Sequence, residues 1–260
     1  MRTKEEIVKN WLPRYTGVEI EDLGEYILLT NFDQYVDIFA EKHKVKVQGE
    51  ERSMPNATHE NISMINFGMG SANAATIMDL LSAKNPKAVL FLGKCGGIKH
   101  VSKVGDLILP IAAIRGDGTS NDYFPPEVPA LPAFSLQRAA SSMIRNAGRD
   151  YWTGTIFTTN RRVWEYDEEF KEYLLKIRAL DIDMETDNLF SLGFYNHIPT
   201  GALLLVSDEP MISDGVKTEK SDKFVSENYV EDHVQLGIDA LKQLRDNGRS
   251  VKHLLFEDNQ

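Results

Sequence analysis

Ala202-Leu203-Leu204-Leu205-Val206-Ser207-Asp208 is apolar without a break until its last two residues. A strand with one wet face alternates apolar and polar side chains, so this run predicts a strand covered on both faces. Ala88-Val89-Leu90-Phe91-Leu92 has the same character and runs into Gly93-Lys94-Cys95-Gly96-Gly97. Outward from these two, further strands are predicted over 25–29, 62–67, 107–114 and 153–157, with Pro110 marking an edge or a bulge. Helices fall between them. Thr3-Lys4-Glu5-Glu6 reads as a capping box that opens a helix through about Trp11, ended by Pro13. Others are predicted over 33–42, 73–82, 135–146, 167–177 and 183–192. The last covers 221–246, with Val230, Val234, Ile238 and Leu241 on one face and Asn247-Gly248 as its stop. Strands alternating with helices predict an α/β fold: a three-layer sandwich with a mixed central sheet flanked by helices. With no repeat and no clear linker, residues 1–260 are read as a single domain.

The bulk composition narrows the function classes. A chain with 42% hydrophobic and 26% charged residues is globular, not disordered. Its net charge of -10 argues against nucleic acid as a partner, because that binding rests on cation–phosphate contacts. A small anion remains possible, since a few local Arg and Lys override the average. One cysteine, Cys95, permits no internal disulfide and fits a reducing compartment. The start lacks an apolar signal region, and no run of roughly 18 apolar residues exists to span a membrane. The expectation is a cytoplasmic protein. His197 and His233 lack ligand-like spacing, so no metal or cofactor is expected.

Several motifs sit where strands end, which is where sheets of this class bind ligands. Gly68-Met69-Gly70-Ser71 lies between a strand and a helix, either as an anion-binding helix start at Gly70 or as a tight turn. Asn73 stands where a dinucleotide fingerprint needs glycine, so it is not that motif. Gly93 to Gly97 allows close backbone approach to a ligand, with Lys94 as an anion contact. Cys95 is read as a small packed side chain rather than a nucleophile. Arg161-Arg162-Val163-Trp164 offers two guanidinium groups for a phosphate and an indole for a base, or else a solvated helix start with a packed Trp. The polar loop from Gly116 to Tyr123 either lines a site or lies on the surface, and Met211 to Asp222, with Gly215, has the character of a lid. Glu185 in Asp183-Met184-Glu185 and Asp208 each read, taken alone, as ordinary surface or capping acids. Together they place a second carboxylate near one that is shielded enough to keep a proton, which suits cleavage of a sugar–base bond.

In that order and spacing, Gly68-Met69-Gly70, Gly93-Lys94-Cys95-Gly96-Gly97, Asp183-Met184-Glu185 and Val206-Ser207-Asp208 resemble the purine nucleoside phosphorylase superfamily. Within it, Leu28 to Phe32, Asn66 to Ser71, Gly116 to Tyr123 and Thr158-Thr159-Asn160-Arg161-Arg162 are similar to the catalytic domain of the AMP nucleosidase family. The resemblance covers the chain from about Asn10 to Asn247 and implies a nucleoside phosphorylase-like fold and a role in nucleotide metabolism and purine salvage. Long members carry an N-terminal regulatory domain, so a short form is expected. The resemblance implies that Glu185 binds the ribose 2′ and 3′ hydroxyls, with Met184 under the sugar. It implies that Asp208, helped by Ser207, protonates adenine at N7. Phosphorolytic relatives hold phosphate with a Gly and an Arg in the first strand-loop and an Arg before the glycine loop. The matching positions here are Asn31, Tyr35 and Phe91, and neither Tyr nor Phe replaces a guanidinium around a dianion.

The expected reaction is therefore hydrolysis of AMP to adenine and ribose 5-phosphate, with water as nucleophile. Glu185 is expected ionised, near the charge that develops on the sugar. Lys94, Arg161, Arg162 and Arg115 are the candidate cations for the 5′-phosphate. The resemblance also implies a homo-oligomer, a hexamer built from dimers. A purine nucleoside phosphorylase and a noncatalytic nucleotide-binding sensor are the alternatives.

Overall fold

The computed structural model describes residues 1–247, and the predicted Gly248 stop lies outside them. Helix α1 (Lys4–Thr16) precedes β1 (Tyr26–Thr30), α2 (Asp33–His43), β2 (Asn56–His59), β3 (Ile62–Asn66) and α3 (Ser71–Leu81). There follow β4 (Ala88–Gly97), β5 (Leu107–Arg115), α4 (Phe134–Asn146), β6 (Trp152–Thr158) and α5 (Glu168–Lys176). The described chain closes with β7 (Asp181–Asp183), α6 (Thr186–Tyr195), β8 (Thr200–Asp208) and α7 (Glu219–Asn247).

The strands form one mixed sheet in the order β2-β3-β1-β4-β7-β6-β5-β8, and β8 pairs back onto β4. Five strands thereby close into a ring, with β1, β3 and β2 as an open wing. The wing pairs in parallel along β3-β1-β4, and β2 is antiparallel at its edge. Strand β4 is the junction. Tyr26–Leu29 of β1 flank Ala88–Phe91, whereas β8 runs beside β4 from Val89 to Cys95. Beyond that, β7 takes Gly96 and Gly97 in antiparallel pairing. Strand β1 ends where β4 continues, so the sheet parts at its carboxyl end, the place where such sheets hold ligands.

Both faces are apolar, as the unbroken runs require. Ile27, Leu29, Val89, Phe91, Leu204 and Val206 pack under α1, α3 and α6. Leu28, Leu90, Leu92, Leu203 and Leu205 pack under α2, α4 and α7. A smaller cluster joins α5 to Phe157, Trp164 and Ile182. Among the described residues no helix is long and apolar enough to cross a membrane.

Three local expectations change, and a fourth is decided between its two alternatives. Helix α1 keeps its predicted capping box but runs through Pro13 to Thr16, ending at Gly17, whose N–H donates to the Pro13 carbonyl at 2.8 Å. Proline removes one hydrogen bond there, and the left-handed Gly17 supplies the stop. The residues from Gly93 to Gly97 are strand, not loop, because β8 and β7 give their backbone partners. Asp181–Asp183 is a short strand, and the helix predicted from Asp183 begins at Thr186. Pro110 marks a bulge: β5 lies between β6 and β8, and its register to β6 shifts between Pro110 and Ala112.

Candidate active site

Every strand that ends at the parting of the sheet contributes to one cavity of about 240 Å³. Asn31 and Phe32 follow β1, Lys94, Cys95 and Gly96 come from β4, and Asp183, Met184 and Glu185 form the β7–α6 corner. Ser207 and Asp208 end β8, Thr159, Arg161, Arg162, Trp164 and Glu165 follow β6, and Lys217, just before α7, and Asp222, on its first turn, reach in. The two carboxylates expected to act together thus share one cavity.

Glu185 is held by the corner it sits on. Asp183, buried beneath it, accepts the backbone N–H of Thr186 at 2.8 Å and the Thr158 hydroxyl at 2.7 Å. This satisfies orphan donors at the start of α6 and fixes the turn. Glu185 Oε1 then accepts the N–H of Gly70 at 2.7 Å. Burial, then the neighbouring Asp183, push the Glu185 carboxyl up to about 8. The structure therefore favours a proton on Glu185 near neutrality, where ionisation was expected. The Gly70 amide and Asn31 work against that shift. Gly70 itself serves Glu185: its amide, read from sequence as a possible ligand contact, is engaged by the carboxylate. The Met184 carbonyl accepts the Ser71 hydroxyl at 2.9 Å, which ties α3 to the same corner.

Asp208 lines the same cavity from the end of β8. Its Oδ1 accepts the Ser207 hydroxyl at 2.6 Å. Burial raises its carboxyl above the ordinary value, opposed by Lys217 at 3.9 Å and by Ser207. Such a group keeps a proton longer than a solvated aspartate and has a neighbour that tempers it. Cys95 lines the cavity with a buried thiol that burial pushes well up, which removes it as a nucleophile.

The cations divide. Lys94 lines the cavity and is paired with Asp222 at 3.1 Å. Arg161 pairs with Asp167 at 2.8 Å, and Arg162 lies 3.6 Å from Glu165. Arg115 lies outside the cavity lining. Its guanidinium donates to the carbonyls of Pro125, Val128 and Phe124, to Ser120 Oγ and to Asn121 Oδ1. A fork that satisfied is a staple for the loop after β5, and it is not a phosphate contact. Trp164 takes its packed alternative, buried against Phe170 with one side at the cavity wall. Lys217 and Asp222 were missed as site residues. Only their place in the segment read as a lid pointed to them.

Residues 22–242 match the phosphorylase superfamily. The chain belongs to that superfamily. It is 28% identical to an AMP nucleosidase of Escherichia coli (strain K12) over 91% of its own length, but spans 58% of that relative. A solved structure of an AMP nucleosidase from Bacteroides thetaiotaomicron VPI-5482 is 59% identical, with a TM-score of 0.85 over 95% of this chain and 100% of that one. Uridine phosphorylase from Vibrio fischeri ES114, at 19% identity, shares the fold, with a TM-score of 0.77 over 87% of this chain and 95% of that one. Within this superfamily fold, the two positions read as lost phosphate contacts point elsewhere. The Tyr35 hydroxyl donates to His233 Nδ1 at 2.9 Å, and His233 Nε2 donates to the Leu203 carbonyl at 2.9 Å, all buried. Burial lowers His233 to about 4, so this imidazole is neutral and structural. Phe91 is buried against Phe67, and a Cβ at Gly93 would run into its ring.

Proposed function

We propose that this chain hydrolyses the N-glycosidic bond of AMP, giving adenine and ribose 5-phosphate. The observation that carries the proposal is the sharing of one cavity by Asp208, whose carboxyl burial raises, and a buried Glu185, with cations beside them. Asp208 gives its proton to N7, so that the bond to C1′ breaks with adenine leaving neutral. Such general acids contribute about 10²–10⁴-fold in rate. Ribose hydroxyls donating to Glu185 favour its ionised form and bring a negative charge close to the oxocarbenium-like sugar. Water adds to C1′ and loses a proton to solvent. Tyr35 and Phe91, packed in the core, support water over phosphate as nucleophile. The likeness to AMP nucleosidases in two bacteria supports the choice of a nucleotide substrate. The same reading takes the chain as one catalytic domain of a cytoplasmic homo-oligomer.

The test is incubation with AMP in phosphate-free buffer, followed by chromatography. Free adenine and a reducing sugar phosphate are expected. Strict dependence on inorganic phosphate, with ribose 1-phosphate formed from adenosine, would replace the proposal with a purine nucleoside phosphorylase. No adenine after prolonged incubation would leave a nucleotide-binding sensor.

A further inference from the structure

Two ammonium groups in the cavity converge on a single carboxylate oxygen. Lys94 Nζ lies 3.1 Å from Asp222 Oδ1 and 3.1 Å from Ser226 Oγ, and sits 4.6 Å over the Phe32 ring. Its side chain is 3% exposed, against 42% for Asp222. Lys217 Nζ lies 3.7 Å from the same Asp222 Oδ1 and 3.9 Å from Asp208 Oδ1. When Asp208 carries the proton its role requires, this wall holds two cations against one carboxylate. Burial lowers Lys94, and Asp222 opposes that shift without cancelling it. A buried ammonium with half of a shared partner is costly unless another anion completes it. Arg161 and Arg162 are different: each has its own carboxylate, and their side chains are 40% and 54% exposed at the rim.

A phosphate monoester suits this wall. Near pH 7 it carries about -1.5 to -2 charge and three acceptor oxygens. Lysine serves as a point charge with three donors, so two lysines balance one such group. Resting on the reading of this site as one for AMP hydrolysis, we propose that Lys94 and Lys217 hold the 5′-phosphate of the substrate. Asp222 is a built-in competitor for that place, its carboxylate giving way to the phosphate on both ammonium groups. The exchange asks little of the fold. Lys94 is fixed between Phe32 and Ser226, whereas Asp222 stands half-exposed on the first turn of α7 and reaches solvent by turning its own side chain. The device selects nucleotides over nucleosides, because a neutral 5′-hydroxyl cannot displace a carboxylate from two cations.

The test measures binding of ribose 5-phosphate, ribose and inorganic phosphate by calorimetry, and kcat/KM for AMP and adenosine. Asp222→Asn keeps the shape and removes the competing charge. Ribose 5-phosphate is expected to bind about 10-fold tighter to it, and Lys94→Met and Lys217→Gln to bind it about 10-fold more weakly than wild type. Both lysine variants should lose preference for AMP over adenosine by a similar factor. Lys217, on the connection before α7, carries the test if the buried Lys94 variant does not fold. The subsite is overturned if the lysine variants weaken AMP and adenosine equally. The competitor is overturned if Asp222→Asn binds ribose 5-phosphate no tighter than wild type. Inorganic phosphate that binds at least as well as ribose 5-phosphate, and speeds adenine release from adenosine, would assign the lysines to free phosphate and overturn the proposal. If wild type releases no adenine from AMP but the calorimetric pattern holds, the hydrolysis reading alone fails.

Discussion

As the proposed general acid, Asp208 has to hold a proton at the pH where catalysis runs, and its neighbours pull in opposite directions. Burial raises its carboxyl, while Lys217 at 3.9 Å and the Ser207 hydroxyl at 2.6 Å lower it. Two outcomes follow from the sign of each effect. Asp208→Asn has no proton to give, so adenine release should fall by about 10²–10⁴-fold while AMP affinity by calorimetry changes little. Near-wild-type turnover would remove Asp208 as the acid. Lys217→Gln removes a cation that favours the carboxylate, so the Asp208 pKa should rise further. In the proposed mechanism the protonated form is the active one, so kcat falls as pH rises through that pKa. The alkaline limb of kcat against pH should then move to higher pH in Lys217→Gln, and a shift to lower pH would contradict the assignment. Asp208 and Glu185 were legible in the sequence only together with their motifs, because each acid taken alone reads as an ordinary surface or capping residue. Lys217 and Asp222 carry no such mark: a charged residue in a polar connection looks like any solvated one. Arg115 shows the converse, since a guanidinium near a site looks the same in sequence whether it faces an anion or five acceptors of its own loop.

The β7–α6 corner shows how an element can be both site and pH-sensitive brace. Asp187, on the first turn of α6, shares a proton with Asp117 in the loop after β5, and Asn188 donates to both carboxyls. Burial, then Asp117, raise Asp187 to about 10. Burial would raise Asp117 too, but the Asp187 proton together with Asn188, Ser71 and the Thr119 N–H holds it below the ordinary value. In the unfolded chain Asp187 ionises near about 3.9. Between there and about 10 the folded chain binds a proton that the unfolded chain has lost, so this group's contribution to stability falls as pH rises. Asp187→Asn keeps a donor toward Asp117 and removes that titration. Its thermal midpoint should exceed wild type by a margin that widens from about pH 5 to about pH 9, with each kcal/mol worth about 2–4 °C. A margin constant across that range would contradict the shared proton. The corner also explains a misreading. Asp181-Ile182-Asp183 is too short and too charged to announce a strand, yet backbone pairing with β4 and β6 makes it one. The polar edge strand β2 was likewise invisible, and Gly93 to Gly97 looked like a loop because glycine's preference is overridden by pairing on both sides.

At the scale of the molecule, strand β4 joins the open wing to the closed ring. All ten of its residues are buried, and β1, β8 and β7 share its two edges along its length. This much was written in the sequence, since apolar runs without alternation have nowhere to go but between two helix layers. The ring closure was not, because which strands meet depends on pairings that no local pattern encodes. The architecture sets a gradient of stability. Amides of β4 from Val89 to Cys95 cannot reach water without separating β4 from β8 and at least one helix layer, so they should exchange hydrogen only through global unfolding. The first turns of α7 sit at the other extreme, with Glu219, Lys220 and Phe224 exposed and Asp222 half-exposed where it pairs with the cavity lysines. Their amides should exchange through local opening at far lower free energy. If the lysine wall takes a phosphate ester, ribose 5-phosphate should slow exchange within 217–226, where the bound lysine and the helix start lie, and leave β4 unchanged beyond the rise in global stability that any ligand brings. Hydrogen exchange followed by mass spectrometry reads both regions in one experiment. Equal slowing along the whole chain, with no excess in 217–226, would mean that the ligand stabilises the fold without engaging this segment.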